Sequence, residues 1–212
     1  NRKWKKVIHD REVVWLASWK DTITGKTKYI FLSVESSFKS KSDEKKFDLA
    51  RRLKKNAKKI RETYENQLNS DELKTRQLAT ALYFIDNLAL RVGGKKDKKE
   101  EADTVGVTSL RVEHITLLPP NIVKLDFLAK DSVRFCKKVN VSKPIFDNLI
   151  LFMSNKSRKD QLFDLISASN INLYLENFMK NLTAKVWRTY NASTVFQKEL
   201  DKINEDKVLA FD

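Results

Sequence analysis

The chain of 212 residues contains one cysteine, Cys136. A single thiol can build neither a disulfide framework nor a cysteine-based metal site. Two histidines, His9 and His114, stand far apart and argue against a His-rich metal centre. With four glycines there is no Gly-rich phosphate loop, and neither G-x-G-x-x-G nor G-x-x-x-x-G-K occurs. No apolar run reaches the roughly 18 residues of a membrane span. The basic start Asn1–Lys6 runs into His9, Asp10, Arg11 and Glu12, not into the apolar stretch of a signal peptide. Together these absences indicate a soluble protein of a reducing compartment with no metal or nucleotide cofactor. Lacking an initiator Met, the chain reads as a piece of a longer one.

Positive charge is what the chain has in excess. Lys and Arg number 42 against 28 Asp and Glu, a formal net charge of +14. At 41% hydrophobic and 33% charged residues the composition is globular, long enough for one large domain or two small ones. Such an excess repels itself on folding and fits a polyanionic partner. A lysine-rich solvated surface accounts for the same count.

The first forty residues read as β. Val13, Trp15, Ala17 and Trp19 alternate with Val14, Leu16 and Ser18. The cluster Asp21, Thr22, Thr24, Gly25 precedes a second run, Lys28–Val34. Two period-2 runs around a Gly-containing loop predict a hairpin, with the tryptophans on its buried face. Ser42, Asp43 and Glu44 predict a helix start. Phe47, Ala50, Leu53, Ala57, Ile60 and Tyr64 follow at helical spacing, opposite a basic face running from Arg51 to Lys59. Ser70, Asp71 and Glu72 open a second helix, expected to stop at Gly93–Gly94 and to form an αα-hairpin with the first. The run Gly93–Glu101 is charged and loop-like. Thr108–Leu118, Ile122–Leu128 and Ser132–Val139 predict an antiparallel meander. Helical segments follow at Ile145–Met153, Leu162–Ile166, Asn172–Met179 and Thr183–Ile203. The expected class is α+β, mainly α: a β-hairpin piece at 1–40, then a helical domain at 41–212 holding a three-stranded antiparallel sheet.

Three cations fall where the backbone is tightly shaped. Arg91 follows an apolar helix just before Gly93, Lys130 sits in a short turn between apolar strands, and Arg188 lies among Val186, Trp187 and Tyr190. A guanidinium there offers a bidentate fork to phosphate oxygens. The same positions also suit an Arg91 that caps a helix C-terminus and an Arg188 that pairs with a core acid.

Four motifs carry a family resemblance. ALYFIDNLALRVGG (Ala81–Gly94), ADTVGVTSLRVEHITL (Ala102–Leu117), DFLAKDSVRF (Asp126–Phe135) and LTAKVWRTYNAS (Leu182–Ser193) together resemble the core of eukaryotic type IB DNA topoisomerases. WLASWKDTITGKTKYI and KKFDLARRLKK are similar to upstream segments of the same family, in the same order. The resemblance implies a DNA breaking-rejoining catalytic core, with residues 1–40 as the β-rich end of the upstream core subdomain. It implies a nuclear, monomeric enzyme that acts on duplex DNA without metal or nucleotide. A tyrosine attacks a phosphodiester, forms a 3′-phosphotyrosine and releases a 5′-hydroxyl. The duplex then rotates before the hydroxyl reverses the reaction.

By the same resemblance, Arg91 and Arg188 stabilise the phosphorane transition state. Lys130 protonates the leaving 5′-oxygen and touches a base edge in the minor groove. Asp131 matches the acid beside that lysine, where camptothecin-type inhibitors bind. Lys96 and Thr104 match positions on DNA phosphates. The family's catalytic histidine and nucleophilic tyrosine have no counterpart here: Val208–Asp212 resembles the start of the histidine's helix, and the tyrosine belongs to a separate C-terminal segment. His114 and Tyr190 match scaffold positions. Ala129 stands where glycine is usual, Val107–Thr108 where two cysteines are common, and Trp187 where phenylalanine is common, the last two read as packing differences. Two alternatives belong to other classes: a non-catalytic DNA-binding module, and a tyrosine recombinase using a related Arg, Lys and Tyr set.

Overall fold

Alternation in WLASWK and TKYIF builds an antiparallel ribbon, β1 (Trp15–Lys20) and β2 (Thr27–Phe31), with Trp19 opposite Lys28. The turn closes through Asp21 N–H to Lys26 O (2.8 Å) and Gly25 N–H to Asp21 O (2.9 Å), with Gly25 at φ +68°. A computed structural model describes residues 3–9, 15–23, 25–33, 36–94 and 103–203. Val13, Val14, Thr24, Val34, Lys96 with the charged run 95–101, and Val208–Asp212 lie outside the described residues. The chain divides into two compact units, Asn1–Lys46 and Phe47–Asp212.

The hairpin forms as expected, but its tryptophans are not buried. Trp15 is half-buried and Trp19 is 45% exposed, and every residue of β2 is exposed. A two-stranded ribbon has no second layer of its own to cover a face. Its aromatics pack laterally instead, with Trp15 and Tyr29 at 5.7 Å between centroids.

Helix α1 spans Ser37–Gln67, beginning a turn before the predicted Ser42. Its apolar stripe Ala50, Leu53, Ala57, Ile60, Tyr64 is buried, while Phe47 is exposed. Helix α2 (Leu73–Asn87) follows a tight link in which the Glu72 N–H donates to Ser70 Oγ. The simple αα-hairpin expected from the short link does not form. That packing would set the end of α1 against the start of α2, yet Arg61 and Tyr64 near the end of α1 bond Asp86 and Asn87 at the end of α2.

The meander is β3 (Ile115–Leu118), β4 (Ile122–Leu128) and β5 (Arg134–Asn140), antiparallel in the order β3-β4-β5. Val123, Leu125 and Phe127 alternate into the core, and Phe127 stacks on Phe135 at 5.2 Å. The predicted first strand is shorter than Thr108–Leu118. Val107–Ser109 and Val112–His114 are single 3₁₀ turns, because Val107 and Thr108 spend their N–H groups on the Arg91 and Val92 carbonyls.

Helices α3 (Lys143–Met153), α4 (Ala168–Glu176) and α5 (Ala184–Leu200) complete the fold. Ser167 and Thr183 cap the last two, accepting from the N–H groups of Asn170 and Val186. Leu162–Ile166 is irregular, not helical. Its backbone is satisfied from outside: Leu162 N–H donates to Leu110 O, Lys156 Nζ donates to Leu162 O, and Leu165 N–H donates to Gln77 Oε1. Leu162 and Phe163 are fully buried, with Phe163 edge-on to Phe84 and Phe152.

One polar hub sits in this core. The Asp86 side chain is 5% exposed. Its carboxylate accepts from Arg61 Nε and Nη2 (2.7 and 2.9 Å), Tyr64 Oη (2.8 Å), Trp187 Nε1 (2.9 Å) and Asn191 Nδ2 (2.8 Å). Burial alone would raise its pKa. Hydrogen bonds from Arg61, Asn191, Trp187 and Tyr64 outweigh burial and hold it below the ordinary carboxylate value. Breaking a buried pair by removing one partner costs about 3–5 kcal/mol. Asp86→Asn should lose about 3 kcal/mol in urea unfolding at pH 7, the lower end because the Arg61 edge reaches water. Because the folded pKa is depressed, this stabilisation is complete above about pH 4 and fades as pH falls through the folded value. The wild-type chain should therefore lose stability on acidification that Asp86→Asn does not.

Candidate active site

After Asn87 the chain leaves the helix abruptly, sooner than the predicted stop at Gly93–Gly94. Ala89 takes φ 53°, and Leu88 and Leu90 both return N–H groups to Phe84 O. A left-handed alanine costs about 1–2 kcal/mol. The Arg188 Nε bond to Ala89 O, at 2.8 Å, holds it there. Trp187, Arg188 and Asn191 thus grip residues 86–89 with one face of α5.

Arg91 follows on this loop and is exposed. Four residues beyond the end of α2, it is not a C-terminal cap. Its carbonyl accepts the Val107 N–H at 2.8 Å, and Val92 O accepts the Thr108 N–H at 2.8 Å. Two glycines allow this approach. A Cβ on Gly106 would lie 2.5 Å from Gly93 Cα and 2.7 Å from the Arg91 carbonyl oxygen. Gly93 itself stands at φ +81°.

Arg188 is half-buried, and no carboxylate pairs with it. Burial lowers its pKa, and the nearby Arg91 charge lowers it further. Among the described residues neither arginine forms an ion pair with an acid. A guanidinium fixed on a backbone carbonyl, with no acid paired to it among the described residues, is a place that an anion would neutralise.

Lys130 is exposed at the start of a three-residue 3₁₀ turn within the five-residue loop between β4 and β5. Asp131 and Ser132 take φ 62° and 58°, and Ala129 N–H donates to Val133 O at 2.8 Å. Below the loop, Arg134 forks onto Asp126 (2.8 and 2.7 Å) across the two strands. The Leu128 carbonyl, two residues before Lys130, accepts the Val105 N–H at 2.8 Å. The segment carrying Thr104 is therefore bonded on one side to the strand of Lys130 and on the other to the loop of Arg91. Thr104 is half-buried and Asp131 exposed. Backbone hydrogen bonds join the segments of Arg91, Thr104 and Lys130, and the Arg188 side chain reaches the first of them through the Ala89 carbonyl. Lys96 lies outside the described residues.

His114 is buried, its Nδ1 accepting the Arg111 N–H at 3.0 Å, and burial and Arg111 lower its pKa. Tyr190 packs edge-on to Trp187 at 6.5 Å. Cys136 is exposed and free. No group of three or more His, Cys, Asp and Glu among the described residues could hold a metal. None of the described helices is long and apolar enough to cross a membrane.

Residues 35–210 match the family described as eukaryotic DNA topoisomerase I, catalytic core. The chain belongs to that family. Residues 1–32 match a second description, eukaryotic DNA topoisomerase I, DNA binding fragment. DNA topoisomerase 1 of Homo sapiens is 50% identical over 206 residues, covering 95% of this chain and 27% of the relative. Its Xenopus laevis counterpart is 50% identical over 215 residues (98% and 26%), and that of Candida albicans 49% over 209 (98% and 27%). The chain spans about a quarter of the length of these topoisomerases.

The structure adds participants to this topoisomerase core that sequence reasoning passed over. Asp86 was visible as a lone acid in the apolar run ALYFIDNLAL. Trp187 is more than a packing difference, since its indole N–H bonds Asp86 as a phenylalanine could not. Trp187→Phe should cost about 1 kcal/mol, one hydrogen bond. Gly106→Ala should cost about 1–3 kcal/mol, because backbone rather than side chain must yield. Urea midpoints of both variants check these values. A silent Gly106→Ala would show that the two loops do not pack at this distance.

Proposed function

We propose that this chain is the DNA-binding and phosphate-activating part of a nuclear type IB topoisomerase, which relaxes supercoiled duplex DNA by transient cleavage of one strand. The observation that carries the reading is Arg188 held by Nε on the Ala89 carbonyl, two residues before Arg91, with neither arginine in an ion pair among the described residues. Residues from about 41 onward form the catalytic core, and those before it the end of the upstream core subdomain.

Arg188 enters with Nε committed to Ala89 O, which fixes the guanidinium plane and leaves its Nη groups for a phosphate. Arg91 supplies the second positive charge. When the nucleophile adds to phosphorus, charge grows on the non-bridging oxygens. Groups fixed in advance stabilise that charge without reorganising. Lys130 gives a proton to the departing 5′-oxygen, its backbone held by the tight loop. Thr104, Lys96 and Asp131 line the DNA path. The nucleophilic tyrosine and the catalytic histidine come from other parts of the same monomeric enzyme. The reaction draws on no metal or nucleotide, since the phosphotyrosine conserves the energy of the broken bond.

Alone, the chain should form no covalent adduct with nicked or supercoiled DNA. Supplying the remaining segments in trans should restore relaxation. Arg91→Ala or Arg188→Ala should then reduce the rate about 10²- to 10³-fold while duplex binding largely survives. Restored relaxation indifferent to both changes would leave a non-catalytic DNA-binding module. Duplex affinity should fall with salt at a log–log slope of about −0.9 per phosphate contacted. A flat salt profile would contradict binding through the basic surface.

A further inference from the structure

One side-chain fork lies outside the cation set and has no part in the steps above. Arg111 sits between the two 3₁₀ turns with its side chain only 12% exposed. Nη1 and Nη2 donate to the two carboxylate oxygens of Asp103 at 3.0 and 2.7 Å. Nε donates to Glu113 Oε1 at 2.6 Å. Its backbone is anchored as well, through the N–H to His114 Nδ1 and a strand bridge to Gln161. Both ends of the fork are thus defined: a guanidinium that is 12% exposed, and a carboxylate on the segment 103–107.

That segment is a splint. Val105 bonds Leu128, two residues before Lys130, and Val107 bonds Arg91. We propose that Arg111 and Asp103 are positioning residues, their fork setting the splint that seats the Lys130 loop against Arg91. The inference rests on the topoisomerase reading of the site and adds two residues to it. A bidentate guanidinium–carboxylate pair fixes angle as well as distance, which a lysine at Arg111 could not do. A misplacement of about 1 Å at a reacting group costs about 100-fold in rate. Asp103 is 61% exposed on its side chain, so removing its charge tests placement with little demand on the fold.

The test uses single-turnover cleavage by the full-length enzyme. Two duplexes are compared, one with the ordinary 5′-bridging oxygen and one with sulfur there. A thiolate leaves without a proton, so the sulfur substrate does not need Lys130. Asp103→Asn and Arg111→Lys should cleave the ordinary duplex about 10- to 100-fold more slowly and the sulfur duplex at nearly the wild-type rate. Duplex affinity and melting temperature of Asp103→Asn should stay close to wild type. Equal slowing on both substrates, or no slowing on either, would overturn the assignment. Lys130→Ala separates the two levels of the reading. Sulfur rescue there but not in Asp103→Asn rejects the fork alone. No rescue in Lys130→Ala rejects the lysine as general acid, and with it the fork's role.

Discussion

The carboxylate of Asp86 is the constraint on which the helical part of the structure depends. It is a buried charge, and a buried charge survives only when its lone pairs are filled. Five donor atoms fill them, from Arg61 and Tyr64 of α1 and Trp187 and Asn191 of α5. Ordinary apolar packing would leave the angle and register of these helices loosely set. Directed hydrogen bonds at one point do not. Because Trp187 and Asn191 are two of the donor residues, the residue between them on the same face, Arg188, is carried to the Ala89 carbonyl. Burial of an acid in one place thus decides where a cation stands in another.

A second arrangement works by close backbone approach instead of charge. Gly93 and Gly106 let two loops touch, and the hydrogen bonds of Val105, Val107 and Thr108 fix their register. The outcome is a set of cations on tightly held backbone, with Arg91 and Arg188 in no ion pair among the described residues. Most other charges differ from these. Arg51 with Asp48 and Lys58 with Glu62 form exposed pairs within one helix, of the kind worth under about 1 kcal/mol. An excess of +14 attracts polyanions at long range, whereas exposed pairs within one helix cancel their own charge locally.

Much of the fold could be read from pattern. The hairpin, the helical stripe from Ala50 to Tyr64 and the meander all follow from spacing and turn chemistry. Three of the errors share one cause. Leu162–Ile166 has helical apolar content, but distant side chains satisfy its backbone. Thr108–His114 has strand alternation, but the Thr108 N–H is taken by the Arg91 loop and those of Val112 and Glu113 by the Asp160 and Arg158 carbonyls. α2 stops at an alanine instead of a glycine because Arg188, ninety-nine positions away in sequence, bonds the strained residue. Each is a long-range contact overriding a local preference.

By itself the sequence determined the α+β class, the basic balance, the family, and which cations stand where the chain turns sharply. These depend on neighbours within a few positions or on motif identity. Only the tertiary structure decided that Arg188 bonds the Ala89 carbonyl two residues before Arg91, that Asp86 organises the helices, and that Arg111 reaches Asp103. The physical reason is that hydrogen-bond partners and charge neutralisation are properties of distance in space. Arg61 and Asn191 are far apart along the chain, yet both end on one carboxylate, which no local pattern encodes.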